Sequence, residues 1–231
     1  MRPVIVVAHR GASKAEQENT IAAFVRAGEM GAAMVELDVR RTADDAMVVH
    51  HDAEVTALGI IAAHPRAILP DYIPDLADAL DACEGMQVNV EIKSHLKEPD
   101  YDPAQRLAAM VVELLLSRSD QDRMLISSFD LDTLVAVRSL APQLRTGFLY
   151  TRPKPDPEAM FAELRRAGHE AIHPYHLGVN GTLVEQAHAA GLQVNTWTVD
   201  DPDRIVELRD WGVDAVITNV PDIALSTIAT R

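Results

Sequence analysis

Four short polar clusters interrupt apolar, strand-like runs in the first part of the chain: His9-Arg10-Gly11, Glu36-x-Asp38, His51-Asp52 and Glu91-x-Lys93. Val4-Ile5-Val6-Val7-Ala8 leads into the first, Met34-Val35 into the second, Met47-Val48-Val49 into the third and Val88-Asn89-Val90 into the fourth. A buried ionised group costs several kcal/mol unless it is paired or coordinated. Among them two histidines, the three carboxylates of Glu36, Asp38 and Glu91, an arginine and a lysine at strand ends therefore read as one shared site combining a metal, a phosphate and acid-base chemistry.

Residues two apart on a strand point to the same face, so Glu36 with Asp38, and Glu91 with Lys93, each project together. Three carboxylates with no cysteine nearby select a hard divalent cation, Mg²⁺ or Ca²⁺. The competing reading is a buried ion-pair network in which Arg10 and Lys93 neutralise the acids. Four such clusters at successive strand ends favour the metal. His9 and His51 are the candidate acid and base, because imidazole titrates near neutral pH. His50 and His51 face opposite ways in an extended segment, and parity alone does not choose between them. Arg10 and Lys93 would hold a phosphate, the first through its fork and the second as a point charge. Gly11 allows a tight turn beside them.

The elements that must position these groups alternate in period along the chain. Strand-like runs are expected at 4–8, 34–39, 87–92, 123–127, 145–149, 170–173, 192–198 and 213–217. Helical patterns fall at 20–30, 75–83, 104–118, 131–140, 157–167, 181–190, 202–210 and 222–229, with Asp130, Asn180 and Asp201 as N-caps. In the 104–118 helix, Leu107, Met110, Val111, Leu114 and Leu115 form the expected packing stripe. Met47–His50 is an additional extended segment, and Ala53–Tyr72 an irregular loop near the site. Eight β/α units in 231 residues predict an α/β fold, a (β/α)8 TIM barrel forming a single domain over 1–231. Active sites in that fold gather at the C-terminal strand ends, where these clusters lie.

Composition narrows the function. A formal net charge of -14 disfavours nucleic acid and anionic membrane surfaces as partners. Hydrophobic content of 48% and a mean hydropathy of -0.02 describe a globular protein. The apolar opening stretch, Pro3 to Ala8, is too short for a signal core or a spanning helix, so a cytoplasmic protein with no stable membrane anchor is expected. The single cysteine, Cys83, reads as a small buried residue.

The clusters, together with Glu18-Asn19-Thr20, Ser127-Ser128-Phe129-Asp130, the 195–200 run Asn-Thr-Trp-Thr-Val-Asp and the 212–219 run Gly-Val-Asp-Ala-Val-Ile-Thr-Asn, resemble in order and spacing the glycerophosphodiester phosphodiesterases. The resemblance implies a (β/α)8 barrel with one bound divalent cation that hydrolyses glycerophosphodiesters to glycerol 3-phosphate and an alcohol. It matches Glu36, Asp38 and Glu91 to the metal ligands, His9 and His51 to the acid-base pair, and Arg10 and Lys93 to the phosphate binders. His51 is thereby preferred over His50. In that family the substrate's 2-hydroxyl is thought to attack phosphorus before water opens the cyclic phosphate.

Trp197 would lie at the mouth, packing on the substrate or in the core, and Phe129 invites the same two readings at lower rank. His173, Tyr175 and His176 are expected as loop residues, His64, His95, His169 and His188 receive no role, and Asp44-Asp45 and Asp200-Asp201 read as turn and capping residues. Two departures stand out. Larger members carry a capping insertion after the His-Asp motif, replaced here by Ala53–Tyr72, and Gln17 stands where a proline usually precedes Glu18-Asn19-Thr20. The first implies a more open site. Two other functions remain in play. A lysophospholipase D or sphingomyelinase D type enzyme would need an apolar rim, for which residues 57–61 (Ala-Leu-Gly-Ile-Ile) are candidates. A non-catalytic phosphodiester-binding protein would not need both histidines.

Overall fold

The structure is a computed structural model that describes residues 3–152 and 155–229; the remaining positions of the expected 1–231 domain lie outside the described residues. Its strands are β1 Ile5–His9, β2 Met34–Arg41, β3 Met47–Val49, β4 Glu54–Val55, β5 Gly59–Ile60, β6 Gln87–Ile92, β7 Met124–Ser128, β8 Arg145–Tyr150, β9 Ala171–Pro174, β10 Gln193–Thr196 and β11 Ala215–Thr218. The helices are α1 Ile21–Glu29, α2 Leu76–Ala82, α3 Arg106–Ser117, α4 Leu131–Leu140, α5 Pro157–Arg166, α6 Gly181–Ala189, α7 Pro202–Trp211 and α8 Pro221–Ala229. β1, β2 and β6 to β11 pair in parallel, and β1 contacts both β2 and β11, which closes the ring as the sequence predicts. β3 is the additional extended segment, antiparallel to β2.

Both faces of the ring are buried, so the period-2 pattern of each strand separates two environments. On β2, Val35, Leu37 and Val39 point outward into an apolar layer with Phe24, Leu76, Leu80, Val111 and Leu115. Met34, Glu36 and Asp38 alternate with them and point inward. The lower interior is closed by an apolar plug that includes Val7, Met34, Leu125, Ala171, Ala215 and Ile217. The second outer layer packs α5 to α8 through Phe161, Val184, Ile205, Leu208 and Val216, among others. Thr20, Asp156, Asn180 and Asp201 cap α1, α5, α6 and α7 through side-chain oxygens, each cap contributing about 1 kcal/mol.

Several details differ from the sequence reading. The buried face of α3 is Leu107, Ala108, Val111, Val112 and Leu115; Met110 and Leu114 are half-buried because the stripe is rotated toward the small Ala108. Residues 57–61 are not an exposed apolar rim. Ile61 is fully buried, and Leu58 packs with it against Val48, Val55, Leu69 and Ile73, a small core of its own beneath the β4–β5 hairpin. His173 is a barrel-interior residue on β9, not a loop residue. Its Nε2 accepts from Asn195 Nδ2 at 3.0 Å. The ring fits because position 147 is glycine, where a Cβ would come within 2.5 Å of that nitrogen.

Burial lowers the pKa of His173 to about 3. The unfolded chain, with an ordinary imidazole, binds this proton at higher pH than the folded chain. Stability therefore falls as pH drops below about 6.5, by at most about 1.4 kcal/mol per pH unit from this residue. Urea denaturation of His173→Gln is expected to show a smaller stability loss between pH 6.5 and 4.5 than the parent protein; parallel curves would show that His173 carries no such linkage.

Candidate active site

The ring register places the polar clusters side by side. His9 lies opposite Glu36 across β1–β2, and Asp38 lies opposite Glu91 across β2–β6. One oxygen from each of Glu36, Asp38 and Glu91 comes within 4.8 Å of the others. All three acids are buried, Asp38 completely. Lys93 Nζ lies 2.9 Å from Asp38 Oδ1 and 2.5 Å from Glu91 Oε1. Arg10 Nε lies 3.2 Å from Asp38 Oδ2, its main-chain N–H donates to Glu36 Oε2 at 3.0 Å, and its NH1 reaches Glu18 at 3.0 Å.

Arg10 and Gly11 both adopt positive φ, 57° and 80°. A Cβ at Gly11 would come within 2.6 Å of the Ala23 main chain, so glycine is what allows the turn after β1 to sit on α1. The left-handed conformation at Arg10 costs about 1–2 kcal/mol, and it aims both the main-chain and side-chain donors of one residue at the acids.

The charges do not cancel. Three carboxylates face two firm cations. Burial pushes the Asp38 carboxyl up, but Lys93 and Arg10 outweigh it and hold this group well below the usual carboxylate range. Glu36 is driven well above its ordinary value by burial and by the neighbouring Asp38 and Glu91. Glu91 is also raised, by burial, with Lys93 opposing. Glu36 Oε1 is buried and accepts no hydrogen bond among the described residues. An orphaned carboxylate oxygen beside two others is a hard-cation donor set, so these residues fit a divalent metal.

Both imidazoles are held by the Nδ1 atom. His9 Nδ1 lies 2.7 Å from Asn219 Oδ1, and His51 Nδ1 lies 2.7 Å from Asp52 Oδ1. Asn219 donates from Nδ2 and from its main chain to Asp200. Because a carboxylate only accepts, this fixes the amide with Oδ1 toward His9. Each histidine then carries its proton on Nδ1, and neither Nε2 has a hydrogen-bond partner among the described residues; His9 Nε2 is 4.0 Å from Glu36 Oε2. Burial and Arg10 lower His9 to about 4, and burial and Lys93 lower His51. His51, not His50, lines the cavity of about 170 Å³ at the barrel mouth, with His9, Arg10, Glu91, Lys93, Phe129 and Trp197 also in its walls. A wider cleft of about 610 Å³ opens beside it past His51, Lys93, His95, Lys97, Glu98 and Phe129.

The sequence profile of the Glycerophosphoryl diester phosphodiesterase family matches residues 9–223, a span that begins at His9 and takes in every group just described. The chain belongs to this family. It is 30% identical over 244 residues to a glycerophosphodiester phosphodiesterase of Caldanaerobacter subterraneus subsp. tengcongensis, covering 97% of each chain. It is 29% identical to a Bacillus subtilis enzyme of the same name, covering 95% of this chain and 85% of that one. The fold superposes with a TM-score of 0.88 on an Oleispira antarctica phosphodiesterase solved with its product sn-glycerol-3-phosphate (27% identity, covering 98% and 97%). The Thermotoga maritima glycerophosphodiester phosphodiesterase gives 0.83 (25% identity, covering 98% and 99%). The chain is thus an enzyme of the phosphoric diester hydrolase class, and no helix among its described residues is long and apolar enough to cross a membrane.

All eight sequence-selected residues of this phosphodiesterase converge on one mouth. Trp197 lies just past β10, its indole N–H donating to the His173 carbonyl at 2.8 Å while the ring faces the cavity. Phe129 meets it edge-on at 5.5 Å and borders both spaces, so it is as much part of the walls as Trp197. Three positions lacked a sequence role. Asn19 donates to Asp38 Oδ2 at 2.8 Å and accepts from the Asp38 main chain at 3.3 Å, from a left-handed conformation with φ 57°. Asn219 and Asp200 orient His9, so Asp200 is more than a turn residue. The clue to Asn19 and Asn219 was their place inside the family-like motifs; nothing local to either marks its partner.

Asn19→Ala removes the amide that orients Asp38. Affinity for Mg²⁺ and Ca²⁺, measured by calorimetric titration of chelator-stripped protein, is expected to fall roughly 10- to 100-fold, the usual scale for losing a residue that orients a ligand. Unchanged affinity would return the three acids to a charge network.

Proposed function

We propose that this phosphodiesterase hydrolyses soluble glycerophosphodiesters to glycerol 3-phosphate and an alcohol, using Glu36, Asp38 and Glu91 to hold one Mg²⁺ or Ca²⁺. The observation that carries this reading is the meeting of that acidic triad with Arg10, Lys93 and two free imidazole Nε2 atoms at one cavity. The product bound to the Oleispira antarctica relative supports the same chemistry. A bound divalent cation would polarise the phosphoryl group and acidify an attacking hydroxyl.

The protein groups divide the remaining work. Arg10 and Lys93 carry positive charge to the phosphate, where negative charge grows in the transition state. His9, paired with the neutral amide of Asn219 and close to Arg10, is the base: its Nε2 takes the proton of the substrate's 2-hydroxyl as that oxygen bonds to phosphorus. His51, paired with the Asp52 carboxylate, is better able to hold a second proton; its Nε2 gives that proton to the alcohol oxygen as the P–O bond breaks. The roles then reverse. His51 takes a proton from water as water attacks the cyclic phosphate, and His9 returns its proton to the 2-oxygen. Both imidazoles end as they began, and the sum is diester plus water to monoester plus alcohol.

Trp197 and Phe129 bound the glycerol side, and the wider cleft beyond His51 receives the alcohol. The 53–72 segment packs on its own small core instead of covering the mouth, which suits a range of soluble polar head groups.

Release of glycerol 3-phosphate from choline, ethanolamine, glycerol and inositol diesters should appear only when Mg²⁺ or Ca²⁺ is restored to stripped enzyme. His9→Ala and His51→Ala should each lower kcat roughly 10²-fold or more without altering thermal unfolding. Silence across the panel with metal bound, and turnover of a lysophospholipid instead, would replace the soluble substrate by a lipid.

A further inference from the structure

Arg40 continues the inward-facing row of Glu36 and Asp38 along β2, yet it takes no part in the acidic cluster. Its side chain is 2% exposed, and its donors run to three separate points. Nε and NH2 both donate to the main-chain carbonyl of His51, at 2.8 and 2.6 Å. NH1 donates to Asp100 Oδ2 at 2.7 Å, and NH2 also to Glu98 Oε2 at 2.9 Å. Glu98 and Asp100 belong to the loop that follows Lys93, and Glu98 lies in the wall of the wide cleft.

We infer that Arg40 is a positioning residue that fixes the main chain at His51 and couples it to the wall receiving the alcohol. The inference rests on the reading of His51 as the acid that protonates that alcohol. The His51 ring is held by Asp52, its own neighbour in sequence, whose side chain is 74% exposed. Where Nε2 points is therefore set by the local backbone. That backbone is fixed on one side by the His50 N–H donating to the Asp38 carbonyl at 3.0 Å and on the other by the Arg40 fork. A guanidinium buried this deeply must keep its carboxylate partners. The 94–102 loop consequently cannot lift away from His51 without stranding a charge, and the acid and the wall behave as one unit. A lysine at this position would supply a charge but not the planar fork that grips one carbonyl with two donors.

The test compares Arg40→Gln and Arg40→Lys, alone and with His51→Ala, on two glycerol 3-phosphate esters: a choline ester, whose leaving alcohol needs a proton, and a p-nitrophenyl ester, whose leaving group does not. In single turnovers that follow release of the alcohol, Arg40→Gln is expected to slow cleavage of the choline ester roughly 10- to 100-fold with the apparent substrate affinity changed less than about 3-fold, and to slow release of nitrophenolate less than about 3-fold, because that step precedes the one in which His51 acts as base. Added to His51→Ala it should change the residual rate little, because both substitutions act through one group. Arg40→Lys should recover part of the loss. Equal losses on both esters, or full additivity with His51→Ala, would overturn the assignment. Should the parent enzyme cleave neither ester, the functional reading fails separately. Hydrogen exchange then decides the coupling: Arg40→Lys should speed exchange at 50–53 and 94–102 together, and a change confined to one segment would overturn it.

Discussion

The arrangement of this barrel mouth follows from one electrostatic constraint: three carboxylates are buried together with too little positive charge to balance them. Asp38 is satisfied, held by Lys93, Arg10 and the amide of Asn19. Glu36 and Glu91 share what remains, and burial works against both. A fold tolerates such an imbalance only where the backbone cannot move the groups apart. Here the backbone is a closed ring of parallel strands, in which moving Glu36 would mean breaking the pairing of β2 with both its neighbours. The free energy that the acids cost is supplied by the apolar layers outside the ring, where Val35, Leu37 and Val39 alternate with the acids on the same strand. The site is a property of β2 read at period two.

The two histidines show how one side chain is given two characters by its partner. Each is pinned through Nδ1, each exposes Nε2, and they differ in the charge across that hydrogen bond. Asn219 is neutral and Asp52 is a carboxylate. In the proposed mechanism such a pairing separates an acceptor of protons from a donor without requiring different residues. The network behind His9, through Asn219 to Asp200, is as ordered as the site itself, with three hydrogen bonds from Thr218 and Asn219 ending on one carboxylate.

The barrel was legible in the sequence because its signal is local. Alternating apolar runs and helical stripes at eight repeats leave few architectures, and 87–92 and 131–140 agree with β6 and α4 residue for residue. That seven of the chosen residues, His9, Arg10, Glu36, Asp38, His51, Glu91 and Lys93, meet at one mouth could be anticipated because an ionisable group at the end of a buried strand is conspicuous; Trp197 carried no such mark. What the sequence hid were relations at long separation. Asn19 and Asp38 are 19 apart, His173 and Asn195 are 22 apart, and Arg40 reaches residues 58 and 60 positions away. A polar residue whose partner lies on another strand carries no local mark. His173 reads as a loop residue until Gly147 is seen to leave room for it. The 57–61 run reads as an exposed rim until Ile61 and Leu58 are seen to pack with Val48 and Ile73.

The bond between His9 and Asn219 spans 210 positions, and it lies where β11 closes the ring onto β1. During synthesis His9 leaves the ribosome early, along with the metal-ligand candidates, while the residue that sets its tautomer is almost the last of the barrel to arrive. A nascent or truncated chain that stops short of β11 has the acids, Arg10 and Lys93 without the partner that orients the His9 imidazole. Ring closure and the orientation of His9 are thereby one event: under the proposed mechanism the site is completed as the last open strand edges are removed from the sheet.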